Sequence, residues 1–154
     1  MMNLEERIKE LDLKLPPAPP AGGVYRSVIV VDNMLYVSGQ GPVRDDKSLI
    51  TGMLGKDMDT EEGYAAARQV GLTMLATLKN QIGDLGKIKR LVKTLGMVNS
   101  TQDFHEQPQV INGFSELFAE LLGDDYGKGA RSAVGMILPG NIAVEVEAIF
   151  EIYR

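Results

Sequence analysis

The chain has 154 residues, of which 44% are apolar and 24% are charged, and its formal net charge is −5. This length and composition fit one compact domain with a buried core, and no apolar run approaches the roughly 20 residues needed to span a bilayer. With no cysteine and the single histidine His105, the sequence excludes disulfides and thiolate sites and predicts a protein without a metal or other cofactor. The acidic balance argues against a nucleic-acid partner, whose phosphates require Lys and Arg.

The N-terminal segment predicts a short helix followed by an extended arm. Residues 16–23 consist only of proline, alanine and glycine, which favours an extended, polyproline-like conformation. We expect residues 1–23 to form the helix and arm, and residues 24–154 to form the domain. The first six residues lack the basic and apolar regions of a signal peptide, so we expect a cytoplasmic protein. The predicted helix covers residues 3–13, where the apolar positions among the charges are Leu4, Ile8, Leu11 and Leu13.

A hairpin and a long helix are predicted next. Two runs rich in β-branched residues, 28–31 and 34–38, flank the pair Asp32-Asn33, which is typical of a hairpin turn. Residues 41–57 are rich in glycine, aspartate and lysine and predict a loop. Asp59 followed by Glu62 resembles a capping box, and it predicts a helix that runs to about residue 82 and is stopped by Gly83.

The second half of the chain predicts a strand, a helix and two further strands. The strand covers residues 88–98, and the helix begins near Gln107-Pro108 and is closed by Gly123. The final strands cover residues 132–138 and 142–153, and the last one alternates with period two. The order ββ-α-β-α-ββ fits an α+β fold with a mixed sheet and two helices packed on one face. Because the other face then needs cover, we infer an oligomer.

Arg131 is the first candidate for chemistry, because it closes a glycine-rich loop at the start of an apolar strand. Its planar guanidinium can bind a carboxylate through two parallel hydrogen bonds. A structural salt bridge to a nearby glutamate explains the same position equally well. The sequence therefore leaves both interpretations of Arg131 open.

Four further side chains are candidates with simpler explanations beside them. Glu145 and Glu147 share one face of the last strand, antiparallel to the strand that begins at Arg131. A carboxylate there could orient a water molecule or accept a proton, or it could be a solvated position on a half-buried strand. Tyr25 and Ser38 stand at strand ends, where side chains line sites as often as they mark turns. Ser38 has no matching His–Asp pair, which argues against a serine nucleophile.

An ordered set of short segments links the chain to a known family. The segments, in chain order, are Tyr25, Asn33 to Pro42 with its Ser38-Gly39-Gln40, Ala130-Arg131-Ser132-Ala133-Val134, Leu138-Pro139 and Val144 to Ile149. With these segments, the chain resembles over residues 24–152 the Rid (YjgF-like) family of imine deaminases, also labelled endoribonuclease L-PSP. Asn112 also matches the asparagine that the family carries at the start of its second long helix.

The resemblance implies a chorismate-mutase-like (bacillar) fold and a homotrimer around a central barrel, with clefts between subunits. It also implies that Arg131 binds the carboxylate of a 2-imino or 2-enamino acid while Glu145 holds or activates a water molecule. Hydrolysis would then release ammonia and a 2-keto acid. The positions that would contact the substrate are Tyr25, Ser38, Gly39, Asn112 and Ala133.

Three departures from the family pattern indicate a divergent subgroup. Ala133 stands where members often carry cysteine, Gly129 replaces the proline before Ala130-Arg131, and the connection from Arg131 to Leu138-Pro139 is one residue shorter. Three functions stay open: a 2-iminobutanoate/2-iminopropanoate-type deaminase, a non-catalytic trimer that binds a small acid or regulates a partner, and an endoribonuclease. The acidic balance and the lack of a histidine pair argue against the last.

Overall fold

A computed structural model describes residues 2–154, which form three α-helices, five β-strands and two short 3-10 turns. The order confirms the predicted ββ-α-β-α-ββ arrangement behind an N-terminal helix. None of the described helices is long and apolar enough to cross a membrane. The elements are α1 (Leu4–Glu10), β1 (Val28–Val31), β2 (Met34–Gln40), α2 (Thr60–Ile82), β3 (Ile88–Asn99), α3 (Gln107–Gly127), β4 (Ala130–Met136) and β5 (Val144–Ile152), with 3-10 turns at Leu85–Lys87 and Pro139–Asn141.

The strands form one mixed sheet in the order β1-β2-β5-β3-β4. All neighbours are antiparallel except β3 and β4, which are parallel. β4 begins two residues earlier than the sequence predicted, because its pairing with β3 already starts at Ala130 opposite Lys93. β3 therefore separates β4 from β5, and Arg131 lies on an edge strand.

Both long helices pack on the same face of this sheet, which we call the helix face. The period-two alternation of β5 is confirmed, since Val144, Val146, Ala148 and Phe150 are buried against the helices. Aromatic packing ties the layers together: the Phe118 ring centroid lies 4.8 Å from that of Phe114 and 5.5 Å from that of Phe150. Burial of these side chains supplies most of the driving force for folding.

The opposite surface of the sheet, the open face, is not covered in the single chain. Glu145 and Glu147 lie on it, as predicted from the alternation. Five of its apolar side chains are between 38% and 55% exposed. Exposed apolar side chains on one face of a sheet are typical of an interaction site. The exposed apolar residues of the open face are Ile29, Val31, Tyr36, Val134 and Met136.

Helix ends agree with the sequence at α2 and differ at α3. The Asp59 side chain accepts a hydrogen bond from the Glu62 backbone N–H at 2.9 Å, and Gly83 ends α2 with a φ of 80°. Gly123 does not close α3 as predicted, because its φ of 81° interrupts the helix and one further turn follows to Gly127. Arg90 holds that turn, since it donates to the Asp125 carbonyl at 2.8 Å and lies 4.9 Å over the Tyr126 ring.

The N-terminal segment packs against the rest of the chain. Asn3 caps α1, and the buried Leu4 and Ile8 belong to the same core cluster as the sheet and long helices. Residues 13–22 follow without regular secondary structure, and Lys14 forms an ion pair with Asp45 at 3.1 Å. α1 covers Leu4–Glu10, so it is shorter than the predicted range of residues 3–13.

Candidate functional site

Arg131 projects from β4 toward α3 on the helix face. Its Nη1 donates to Asn112 Oδ1 at 2.8 Å and to Ser115 Oγ at 3.2 Å. Both partners are neutral, and none of the ion pairs among residues 2–154 includes Arg131. The single chain therefore does not contain the structural salt bridge considered for this arginine. Its guanidinium is oriented but keeps its charge available for an anion.

A depression of about 370 Å³ lies beside Arg131, between α3 and the start of β4. Lys128 also lines it but forms an ion pair with Asp124 at 3.1 Å. The one carboxylate in the lining, Glu116, accepts the Tyr64 hydroxyl, and this hydrogen bond is the main reason that the pKa of Tyr64 is raised. Of the two cationic side chains that line the depression, Arg131 is thus the one that forms no ion pair. The lining residues are Leu91, Thr94, Asn112, Ser115, Glu116, Ala119, Gly127, Lys128, Gly129 and Arg131.

Glu145 lies on the open face in contact with Gly39 of β2. The register between β2 and β5 shifts after Val37, which brings Gly39 against the glutamate. A Cβ atom at residue 39 would lie 2.9 Å from the Glu145 Cδ, so only glycine leaves the carboxylate where it is. Burial, followed by the charge of Glu147, raises the pKa of Glu145. A carboxylate with a raised pKa is a stronger base than an exposed one.

Tyr25 and Ser38 use their hydroxyls within their own segment. Ser38 Oγ donates to the Arg26 carbonyl at 2.6 Å, and Tyr25 Oη accepts from the Gly22 backbone N–H at 2.9 Å. The Tyr25 side chain is nevertheless half exposed, and Ser38 precedes Gly39 directly. Both residues therefore shape the start of the β1–β2 hairpin beside the Gly39–Glu145 contact. No group of three or more His, Asp or Glu within residues 2–154 could hold a metal ion.

Comparisons with known proteins identify the family. The model of the family described as "YjgF/chorismate_mutase-like, putative endoribonuclease" matches residues 5–150. The chain is 40% identical to "Protein TCP17" of Trypanosoma cruzi, over 94% of this chain and 91% of that protein. The chain belongs to the YjgF/chorismate-mutase-like family. The resemblance to the Rid (YjgF-like) family is thereby confirmed, as is the chorismate-mutase-like fold.

Two solved structures of this family match nearly the whole chain. The "protein Atu1372 with unknown function" from Agrobacterium tumefaciens is 43% identical, with a TM-score of 0.86, and the alignment covers 97% of this chain and 94% of that one. A "putative endoribonuclease" from Shewanella oneidensis is 33% identical with a TM-score of 0.91, covering 98% and 100% respectively. Both alignments include the N-terminal helix region as well as the sheet.

The Rid-family residues fall into two groups on opposite faces of the sheet. Arg131 and Asn112 meet on the helix face, whereas Glu145, Gly39 and Ser38 lie together at the open face. Within one chain, neither Glu145 nor Glu147 therefore lies on the same face as Arg131. The reason is strand parity, since the register through β3 aligns Arg131 with Ala148, a buried helix-face position.

Ala133 lies two residues after Arg131 on the same side of β4. It pairs with Gly96 and packs against the core, and it does not line the depression beside Arg131. Sequence reasoning missed Ser115 as a partner of Arg131. The signal was present, because Ser115 follows Asn112 by three positions and such residues share one side of a helix.

Proposed function

We propose that this chain is one subunit of a homotrimeric imine deaminase that hydrolyses 2-imino and 2-enamino acids to 2-keto acids and ammonia. The main support is the state of Arg131. Two neutral side chains orient its guanidinium, and no carboxylate of residues 2–154 neutralises it. Such a group is suited to a small anionic ligand, and a carboxylate fits its planar fork best.

The open face supports the assembly part of this proposal. It exposes apolar side chains on three of the five strands, β1, β2 and β4, which a second subunit would bury. A neighbouring subunit also resolves the separation of the two residue groups. If Arg131 and Glu145 act on one substrate, they come from different subunits, because in one chain they point to opposite faces. The active cleft would then lie between subunits.

In this cleft, Arg131 of one subunit binds the substrate carboxylate and fixes the imine carbon. Glu145 of the next subunit takes a proton from water as the water oxygen bonds to that carbon and the C=N electron pair moves to nitrogen. Glu145 then returns that proton to the amino nitrogen of the carbinolamine, the C–N bond breaks with its electron pair on the departing ammonia, and the hydroxyl proton passes through Glu145 to the ammonia as the keto C=O bond forms. A protonated imine is already electrophilic, so a positioned water and a base with a raised pKa suffice.

The test is competition with a trap for free imine. An amino-acid oxidase generates 2-imino acids in the presence of semicarbazide, and the purified protein is added. We expect the wild type to suppress trapping and Arg131→Ala to lose on the order of 100-fold in this activity, because the variant cannot hold the carboxylate. Arg44→Ala is the control, since Arg44 is an exposed arginine bonded only to its own loop. No suppression by the wild type across several imino acids would refute the deaminase.

A second candidate is a non-catalytic trimer that binds a small acid. It is supported by Ala133 at a position where family members often carry cysteine, and by Tyr25 and Ser38, whose hydroxyls are engaged locally. Arg131-dependent binding of a carboxylate without turnover would favour this function. The endoribonuclease named in the family description has less support, because His105 is the chain's only histidine. Cleavage of single-stranded RNA by the purified protein would be needed to sustain it.

A further inference from the structure

One polar side chain on β3 interrupts the apolar helix face. Thr94 is only 1% exposed, and the other large residues that β3 turns to this face, Leu91 and Val98, are apolar. The Thr94 hydroxyl takes part in no side-chain hydrogen bond among residues 2–154. Every fully buried polar side-chain atom in that range has a hydrogen-bond partner, so the Thr94 hydroxyl oxygen is not fully buried. A buried hydroxyl normally has a partner, because leaving it unpaired costs free energy.

Thr94 lines the depression beside Arg131, and its hydroxyl is accessible only from there. Thr94 is the register partner of Arg131 across the parallel β3–β4 pair, so both side chains leave the sheet on the helix face at neighbouring positions. Two apolar groups, Leu91 and Ala119, line the depression with them. A ligand held at the guanidinium therefore meets Leu91, Ala119 and a hydroxyl that has no hydrogen-bond partner among the described residues.

We propose that Thr94 is a specificity-determining residue that recognises a neutral hydrogen-bonding group on the substituent of an Arg131-bound carboxylate. This inference rests on the carboxylate site of the proposed function and adds its substrate class. The favoured ligands are small acids with a hydroxyl on the side chain, in preference to alkyl acids of the same shape. The depression of about 370 Å³ has the size of a small-molecule site.

The selectivity follows from the cost of an unpaired polar group. An alkyl substituent that fills the depression removes water from the Thr94 hydroxyl and gives it no partner, whereas a hydroxyl substituent replaces the lost hydrogen bond. The threonine methyl group makes the same contacts with either ligand. Thr94 therefore distinguishes hydroxy acids from alkyl acids through its Oγ1 atom. Valine has nearly the same side-chain shape without the hydroxyl, so Thr94→Val should remove this preference.

Binding of stable carboxylates to the intact protein separates this role from catalysis. The probes are two pairs with matched skeletons, 3-hydroxybutanoate with 3-methylbutanoate and 4-hydroxybutanoate with pentanoate, titrated by NMR chemical shift. The proteins are the wild type, Thr94→Val, Thr94→Ser and Arg131→Ala. Thr94→Ser keeps the hydroxyl and Thr94→Val keeps the shape, so each is the control for the other.

We expect the wild type and Thr94→Ser to prefer the hydroxy acid of at least one pair by about threefold to tenfold. Thr94→Val should bring that ratio close to one while still binding the alkyl acid. An unchanged ratio in Thr94→Val, or no preference in the wild type for either pair, would overturn the inference. Undiminished binding of all probes to Arg131→Ala would overturn the carboxylate site itself. A hydroxyl preference without imine hydrolysis would uphold Thr94 and reject the deaminase.

Discussion

On the helix face, Leu35, Val146 and Phe150 are fully buried beneath α2 and α3, whereas on the open face Tyr36 and Val134 remain 40% exposed. The same strands carry both sets, and residues that alternate along one strand end in opposite environments. The helix face is complete within one chain, because two long helices cover it. The open face carries apolar side chains and three glutamates that no element of residues 2–154 covers.

This difference teaches how stability and function are divided in the chain. Contacts on the helix face should govern whether the chain folds, while contacts on the open face should govern whether folded chains associate. The candidate site draws on both, with Arg131 anchored to α3 and Glu145 presented at the open face. Variants on either face can therefore test the division separately.

The largest effect on folding is expected from Phe118→Ala on the helix face. The Phe118 ring is fully buried between Phe114 and Phe150, so truncation leaves a cavity and should lower the free energy of unfolding by about 3–5 kcal/mol. Chemical denaturation monitored by circular dichroism measures the loss. Tyr36→Ala on the open face is the comparison, and it should affect assembly more than the fold. Equal losses of folding stability in the isolated chains would remove the distinction between the faces.

Association should respond most strongly to Val134→Glu. This change adds a fourth acid to the open face, which already carries Glu145, Glu147 and Glu151, and the proposed interface would bury it. We expect the proposed trimer to dissociate, with association weakened by about 100-fold or more, while the helical content stays that of the wild type. Light scattering after size-exclusion chromatography reports the mass. Ala65→Glu on the exposed side of α2 is the control, and an assembled Val134→Glu protein would place the interface elsewhere.

A more local effect is expected from Gly39→Ala. The added Cβ collides with the end of the Glu145 side chain, which can swing away, so the fold should change by less than about 1 kcal/mol. Imine hydrolysis should nevertheless fall about tenfold or more, because the carboxylate leaves its position. Gly41→Ala is the matched control, since a Cβ there would approach only Ile142 at 3.3 Å and Leu49 at 3.5 Å. Wild-type activity in Gly39→Ala would show that the position of Glu145 is not critical.

The smallest effect is the pH dependence of stability introduced by Glu145. Its pKa in the folded chain is raised above the ordinary value of 4.5, so the ionised carboxylate destabilises the fold. This penalty is absent below the unfolded pKa, where both states are protonated, and it grows as the pH rises through the folded pKa. Glu145→Gln should therefore raise the Tm at about pH 8, and the gain should vanish below about pH 4. A gain of the same size at both pH values would indicate another cause.

Much of the fold could be predicted from local patterns. The alternation of β5, the Asp59–Glu62 capping box and the Asp32-Asn33 turn each depend on residues close in sequence, and the structure confirms all three. The continuation of α3 beyond Gly123 could not be predicted, because it depends on Arg90 from a distant strand. Long-range contacts of this kind leave no mark on the local pattern.

The candidate site was predictable as a set of residues but not as an arrangement. Arg131 and Glu145 stand out by residue type and family position, and the structure adds the partners Asn112 and Ser115. Their separation depends on β3 lying between β4 and β5, because the pairing through β3 decides which residues of β4 and β5 share a face. Strand order depends on contacts between distant parts of the chain, so local patterns in a single sequence do not reveal it.

The placement of Arg131 and Glu145 on opposite faces has a genetic consequence if each cleft takes one residue from each of two subunits. Arg131→Ala and Glu145→Gln chains would each be inactive alone, yet a mixed trimer would contain clefts with an intact arginine from one chain and an intact glutamate from the other. Random assembly of equal amounts would restore about a quarter of the clefts. Two defective alleles expressed together would thus complement each other, and no recovery in refolded mixtures would show that a single chain supplies both residues.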